Sequence, residues 1–312
     1  LLNRFMAPIK HLLLPQAASP SQLSVAEINR DLAIMGEVQA RTIYTFAMAE
    51  SHIVPPPQFF EKCLNELSLP YTHRHLQELS KSALAAILES PSFGGAITNP
   101  SIVATASLFA GRTATANSTG FVDTISVEDG KIVGHNSAAV GIRNSLVREF
   151  TPSAYAHQPV LVISQSFQAV APAIHALKSL DCGKLYTVGF LIPPASPLAE
   201  YNHHCRSLDF SSSGAPFAVV SALEAGQTQL LIPLIRLISG RGTLRGPKRM
   251  FLNIGNKLDR KMLSQSGILA SGWVVNTVED VAAWTAVDMM KHLVGQSIPC
   301  DFVRMAGNRG FF

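Results

Sequence analysis

Apolar positions change their period several times along the first hundred residues, and each change marks an element. After "LPQAASPSQ" a segment opens with Ser24, followed three residues on by Glu27, the spacing of a capping box. Ile28, Leu32 and Ile34 then supply an apolar stripe, which predicts a helix. "RTIYTFAM" is short, continuous and rich in β-formers, and predicts a strand. In "PPPQFFEKCLNELSLP" the prolines suit a helix start, and Phe59, Phe60, Cys63, Leu64 and Leu67 fall at helical spacing. "YTHRHLQEL" predicts a short strand and turn, "KSALAAILES" a helix, and residues 94–98 another strand. Such alternation predicts an α/β layer.

The rhythm restarts near residue 146. "PVLVISQSFQAVAPAIHALKSLDCGKLYTVGFLIP" predicts a strand at 160–163, a helix to about 180 and a strand at 184–190, one βαβ unit. "FAVVSAL" and "KRMFLNIG" predict further strands. "TVEDVAAWTAVDMMKHLVGQ" predicts a closing helix with Val281, Trp284, Val287 and Met290 as its apolar stripe. The expectation is two α/β domains. Residues 40–144, completed by 283–312, form a substrate-type domain, and residues 145–282 a doubly wound, Rossmann-like domain. Residues 1–39 are expected to be a linker and the remnant of an upstream domain.

Composition narrows the function. Of 312 residues 47% are hydrophobic and 15% charged, enough apolar side chain for real cores. The most apolar run, "QLLIPLIRLI", is interrupted by Pro233 and Arg236 and falls short of the roughly 20 residues of a spanning helix, so no membrane role is expected. The opening "LLNRFMAPIKHLLLP" lacks a cleavage-site pattern and does not read as a signal peptide, so the chain is expected to begin inside a longer polypeptide. Cys63, Cys182, Cys205 and Cys300 form no CxxC pair and read as reduced thiols of an intracellular protein. The net charge of +4 is mild, and its basic residues concentrate in "GRGTLRGPKR". Arg241, Arg245, Lys248 and Arg249 could track phosphates, but no aromatic is interleaved and no DNA-reading helix is evident, so direct nucleic-acid binding is not expected. In "YNHHCRSLD", His203, His204 and Cys205 are adjacent and point apart on any regular element, so no metal site is expected there.

The turn of the βαβ unit carries the first chemical question. A dinucleotide needs glycines there, so that backbone N–H groups can approach the pyrophosphate at the helix N-terminus. Ser164, Gln165, Ser166 and Phe167 occupy those positions, Phe167 would project into the phosphate seat, and Pro172 removes a donor further on. No cofactor is expected in this turn.

Four motifs in order resemble shikimate dehydrogenase, in the form found near the C-terminus of the fungal pentafunctional AROM polypeptide. "FGGAITNPS" is similar to the family's "GxxVTxPxK" loop, and "DGKIVGHNSAAVGIRNSL" to its "GxNTDxxG" segment. "GWVVNTVEDVAAWTAVDMMKHLVGQSIP" is similar to its closing helix, and the opening forty residues resemble the end of the preceding dehydroquinase domain. The resemblance implies a two-domain shikimate dehydrogenase-like fold with a degenerate nucleotide domain. It also implies where a dehydrogenase would act. The family's catalytic Lys falls at Ile102 and its catalytic Asp at Ala138, neither of which transfers a proton. The paired serines that hold a substrate carboxylate fall near Val54 and Pro56, the substrate-binding Asn at Asp123, and the Gln of the closing helix at Thr285. Thr98 and Asn136 keep the family's residue types.

With catalyst, clamp and cofactor loop all changed, the sequence leads to the expectation that the chain is not an enzyme. A class of fungal quinate-pathway repressors is built from relatives of the last three AROM domains, and the chain resembles the dehydrogenase-like domain of that class. What this implies is a regulatory domain in the nucleus or cytoplasm. It would act on a transcriptional activator beside shikimate kinase-like and dehydroquinase-like domains, with metabolite sensing as a further role. Loss of polar groups at Ile102, Ala138 and Val54 predicts weak capture of quinate or shikimate. The competing reading is a shikimate or quinate dehydrogenase with a rebuilt site, for which His135 and Asp123 are the available groups.

Overall fold

In a computed structural model of the chain, the structure describes residues 25–37, 41–46, 53–66, 71–77, 81–98, 110–201, 203–204, 215–224, 227, 231–239, 248–256, 268, 272–295 and 297–306. The first sheet takes its strands from β1 (Arg41–Phe46), β2 (Tyr71–Leu76), β3 (Phe93–Ile97), β4 (Gly111–Arg112), β5 (Thr124–Glu128) and β6 (Lys131–His135). Their order is β2-β1-β3-β5-β6-β4, with β5 antiparallel to both β3 and β6 and the other pairings parallel. The second sheet contains β7 (Val160–Ser164), β8 (Leu185–Val188), β9 (His203–His204), β10 (Ala218–Ala222), β11 (Arg249–Asn253) and β12 (Trp273–Asn276). It runs β12-β11-β10-β7-β8-β9 and is parallel throughout. The apolar run Val160–Ile163 fills its centre and is wholly buried, as a strand covered on both faces must be.

Helices cover the sheets: α1 (Val25–Ile34), α2 (Pro57–Glu66), α3 (Lys81–Leu88), α4 (Ala114–Thr119), α5 (Ser137–Glu149), α6 (Pro152–Tyr155), α7 (Phe167–Lys178), α8 (Leu231–Ser239), α9 (Val278–Val294) and α10 (Cys300–Ala306). Helix α2 buries Phe59, Phe60, Cys63 and Leu64 in one core with Ile43, Met289 and Leu293. Helix α7 buries Val170, Ile174 and Leu177 against β7 and β10. Helices α5 and α9 pack along each other between the sheets, and the contact is close because residue 141 is Gly: a Cβ there would overlap the Thr285 backbone and hydroxyl.

Two expectations differ from the structure, and one hairpin has no counterpart among them. The buried face of α9 runs through Val281, Ala282, Thr285, Ala286, Met289, Met290 and Leu293, not through Trp284 and Val287. A strict i, i+3 stripe drifts around a 3.6-residue helix, whereas alternating steps of three and four stay on one face. Ile34 belongs to the apolar stripe that predicts α1, yet it is 77% exposed with Met35 beside it. The hairpin β5–β6, turning at Asp129-Gly130 with both residues at positive φ, was not anticipated as structure, although alternation and an Asp-Gly turn were present. Leu67 and Cys205 lie outside the described residues, as do Arg241 and Arg245 of the basic segment. Cys63, Cys182 and Cys300 are free thiols. Among the described residues no helix is long and apolar enough to cross a membrane.

Candidate functional site

The site residues converge where β3, β5 and the β6–α5 junction meet. Thr98 follows β3, and its backbone N–H donates to the Asp123 carbonyl at 2.9 Å. Asp123 immediately precedes β5 and is 1% exposed. Its Oδ1 accepts from the Ser137 amide and the Thr124 hydroxyl, and its Oδ2 from the Ala138 amide, each at 2.8 Å. The carboxylate therefore sits on the first turn of α5, where orphan N–H groups and the helix dipole favour an anion. Burial outweighs those hydrogen bonds and pushes its pKa up to about 6. The charge expected to repel a substrate carboxylate is directed into the helix terminus.

Asn136 is also engaged by the fold. As N-cap of α5 its Oδ1 accepts the Ala139 amide at 2.9 Å, while Nδ2 donates to the Phe121 carbonyl at 3.1 Å. Ala138 is buried in the first turn of α5. Thr285 does not take the place of a cleft-facing Gln: it is fully buried at the α5–α9 crossing beside Gly141. Val54 is buried in the core beneath α2, and Pro56 is half-buried. Ile102 lies outside the described residues.

The β7–α7 turn allows a direct test of fit for a dinucleotide. The Ser164 hydroxyl accepts from the Ser166 amide at 3.1 Å and donates to the Ser166 carbonyl at 2.9 Å, so one backbone donor of the turn is already used. Phe167 opens α7, and its ring lies 6.3 Å from that of Phe121, which precedes β5. Gly189, at φ +88 after β8, lies against the Ser164 carbonyl so closely that a Cβ would overlap it. Side chains fill all four turn positions, and these residues do not fit a pyrophosphate in close approach to the backbone.

A second polar group, not anticipated from the sequence apart from His135, lies on the face of β5 and β6 that α9 covers. His135 Nε2 is 2.8 Å from Ser126 Oγ and 3.1 Å from Glu128 Oε1, and its ring stacks on that of His292 with centroids 3.7 Å apart. Burial, reinforced by His292 and opposed by Glu128 and Asp288, lowers the His135 pKa to about 4. Ligand-type atoms of Glu128, His135 and His292 lie within 4.8 Å of one another. The available signal was the i, i+4 pair Asp288–His292 on a helix and the shared face of Ser126 and Glu128; what the sequence lacked was the pairing that joins them. His203 and His204 form the short edge strand β9.

Comparisons with known proteins define the fold. No protein-family model matches the chain. The pentafunctional AROM polypeptide of Eremothecium gossypii is 29% identical over 190 residues, 60% of this chain and 12% of that protein. The chain thus spans about an eighth of the curated relative's length. The Schizosaccharomyces pombe structure of AroM dehydroquinate dehydratase and shikimate dehydrogenase superposes with a TM-score of 0.65 at 22% identity, covering 97% of this chain and 59% of that one. A Mycobacterium fortuitum shikimate 5-dehydrogenase gives a TM-score of 0.66 at 16% identity, over 86% of this chain and 98% of that one. Shikimate 5-dehydrogenase of Thermus thermophilus, solved with NADP(H) and shikimate, gives 0.62 at 16% identity, over 86% and 99%. These findings overturn the expectation that the chain is not an enzyme: its structural neighbours are shikimate dehydrogenases, and what they suggest is an enzyme. That expectation rests on the replaced catalytic and clamp residues and on the β7–α7 turn together, and one of those positions, Ile102, lies outside the described residues. The chain is a homologue of the AROM polypeptide with a shikimate dehydrogenase-like fold.

Proposed function

We propose that the chain is a regulatory module of quinate-pathway transcription that works by contact with a transcriptional activator. Shikimate kinase-like and dehydroquinase-like domains accompany it in the same polypeptide, in the nucleus or cytoplasm. The observation that carries this reading is the state of Asp123: both carboxylate oxygens hold the α5 N-terminus, at the position where the family uses an Asn to bind substrate. Asn136 and Thr285 point the same way, one spent on capping and the other buried against Gly141. Groups built into the scaffold are poorly placed to recognise a small polyol acid, which depends on free, oriented hydrogen-bonding groups. Surface contact with a protein makes no such demand.

Co-purification with the cognate activator tests the reading. The immobilised chain is expected to retain the activator, and failure of the pure pair to associate would remove the proposal. Calorimetric titration with quinate and shikimate is expected to show weak or undetectable binding, whereas micromolar affinity would return metabolite sensing to this chain.

The dehydrogenase reading is kept for one reason: the solved neighbours are shikimate dehydrogenases over nearly their whole length. A rebuilt site would draw on His135 and Asp123, buried titratable residues at the open end of the β5–β6 pairing, where the Asp123 N–H donates to the His135 carbonyl at 2.9 Å. Since the β7–α7 turn does not fit a pyrophosphate, such an enzyme would seat its nucleotide elsewhere. Oxidation of shikimate or quinate with NADP, followed by absorbance of the reduced nicotinamide, decides for this reading if turnover is seen and is abolished in Asp123→Ala.

A further inference from the structure

We propose that Glu128, His135 and His292 form a binding site for a divalent first-row transition ion of the zinc type, with Asp288 orienting His292. This inference is independent of the regulatory reading. Three elements build the site. Strand β5 alternates, so Ser126 and Glu128 share a face, and the antiparallel register sets His135 of β6 opposite Thr124 on that same face. Helix α9 lays His292 over them and carries Asp288 one turn earlier.

The chemistry of the donor set is that of a zinc-type ion: two imidazoles and one carboxylate, leaving a coordination position for water. Glu128 Oε1 is the common point, 3.1 Å from His135 Nε2 and 3.6 Å from His292 Nδ1. Ligand atoms held at about 2.0–2.2 Å in a tetrahedral shell are themselves separated by about 3.3–3.5 Å, so shifts of about 0.2 Å or less bring these two spans into range. The rings stand at 28° to each other, and binding requires them to tilt further so that both lone pairs converge. Access is from the Glu128 side, which is about half exposed, while His135 is 2% exposed and fixed from below by Ser126.

A separate observation points to the same use. With His292 Nδ1 directed to Glu128, its other nitrogen, Nε2, lies 3.5 Å from Asp288 Oδ2. That oxygen is buried and has no hydrogen-bond partner among the described residues. A carboxylate behind the non-ligating nitrogen of a ligand histidine is the recurrent support of zinc sites, because it fixes the tautomer and makes the ring a better donor. When an ion binds Nδ1, the proton is held on Nε2 and the Asp288 oxygen gains its partner. With the ion on His135 Nε2 that ring stays neutral and carries its proton on Nδ1.

The test uses the whole chain, freed of metal with a chelator and titrated with Zn²⁺ by calorimetry and with Co²⁺ by visible absorbance. The expected result is one ion per chain at micromolar affinity or tighter, with the intense Co²⁺ bands of a tetrahedral site and a raised thermal midpoint. His292→Ala and Glu128→Gln, at partly exposed positions, are each expected to weaken binding by about 100-fold or more, and Asp288→Asn by about 10–100-fold. His157→Ala, at an exposed histidine elsewhere, leaves binding unchanged. Absence of a tight ion from the wild-type chain, or equal affinity in His292→Ala, overturns the assignment. Circular dichroism of each variant shows whether a loss reflects the site or the fold, and a misfolded His292→Ala is replaced by His292→Gln, for which the same loss is required.

Discussion

Replacing Asp123 by Asn tests the balance between desolvation and capping at the α5 N-terminus. The carboxylate is buried, accepts two backbone amides and one hydroxyl, and has its pKa raised from 3.8 to about 6 because burial outweighs those hydrogen bonds. The sign follows from proton counts. Between pH 3.8 and about 6 the folded chain holds this proton while the unfolded chain has lost it. Stability from this group is therefore greatest in acid and declines as pH rises, reaching its floor above about 6. The shift corresponds to about 3 kcal/mol in all, of which about 2 kcal/mol falls between about pH 4.5 and about pH 7.5. Asn does not titrate, so the variant lacks this slope. Like the protonated carboxyl that the parent carries in acid, it offers one carbonyl acceptor and one donor group to the helix terminus. Relative to the parent, Asp123→Asn is thus expected to gain about 2 kcal/mol of stability between about pH 4.5 and about pH 7.5. Urea unfolding of both chains at the two pH values measures this. Parallel pH profiles would refute the claim that desolvation dominates at Asp123.

Three further substitutions probe other joints. Gly141→Ala places a Cβ into the Thr285 backbone at the α5–α9 crossing and is expected to cost about 1–3 kcal/mol by overpacking, read as a lower urea midpoint. Tyr155→Phe removes the hydroxyl that donates to the Leu146 carbonyl at 2.8 Å in the last turns of α5, and is expected to cost about 1–2 kcal/mol in the same assay. Asp280→Ala deletes the capping box of α9 with Thr277 and the 2.7 Å contact to Arg304, and is expected to lower stability by about 1–2 kcal/mol. If the cap is the larger part, Arg304→Ala alone has a smaller effect.

The elements legible in the sequence were those whose signal is local. The run Val160–Ile163 is a central strand because only a continuous apolar segment can be buried on both faces, and its composition states this. Phe59, Phe60, Cys63 and Leu64 announced α2 because two turns of one face are visible in six residues. The β5–β6 hairpin was hidden by its polar content: Thr124, Ser126 and His135 are buried, but they occupy positions where an apolar residue is the usual signal. The buried face of α9 was misread for a related reason, since Ala282, Thr285 and Ala286 carry weaker apolar signals than Trp284 and Val287, which are only half-buried. Small residues were chosen there for close approach to α5, a tertiary requirement that no local pattern encodes.

Within the candidate site the chain's departures from its relatives are connected to one another. The family resemblance puts an acid at position 138, on the first turn of α5, and an amide at position 123 across from it; this chain has Ala138 and Asp123. A helix N-terminus with no acidic residue in its own first turn still presents unpaired amides. Asp123 meets two of them from the neighbouring strand. Asp123 thus supplies from the neighbouring strand the negative charge that the first turn of α5 lacks. Positions 123 and 138 are therefore coupled through one helix terminus. Returning Ala138 to Asp alone would put two carboxylates on one helix terminus in a buried setting, where like charges raise each other's pKa and oppose folding. Ala138→Asp is accordingly expected to be more damaging by itself than in combination with Asp123→Asn. A double-mutant cycle in urea that gave simple additivity would show the two positions to be independent.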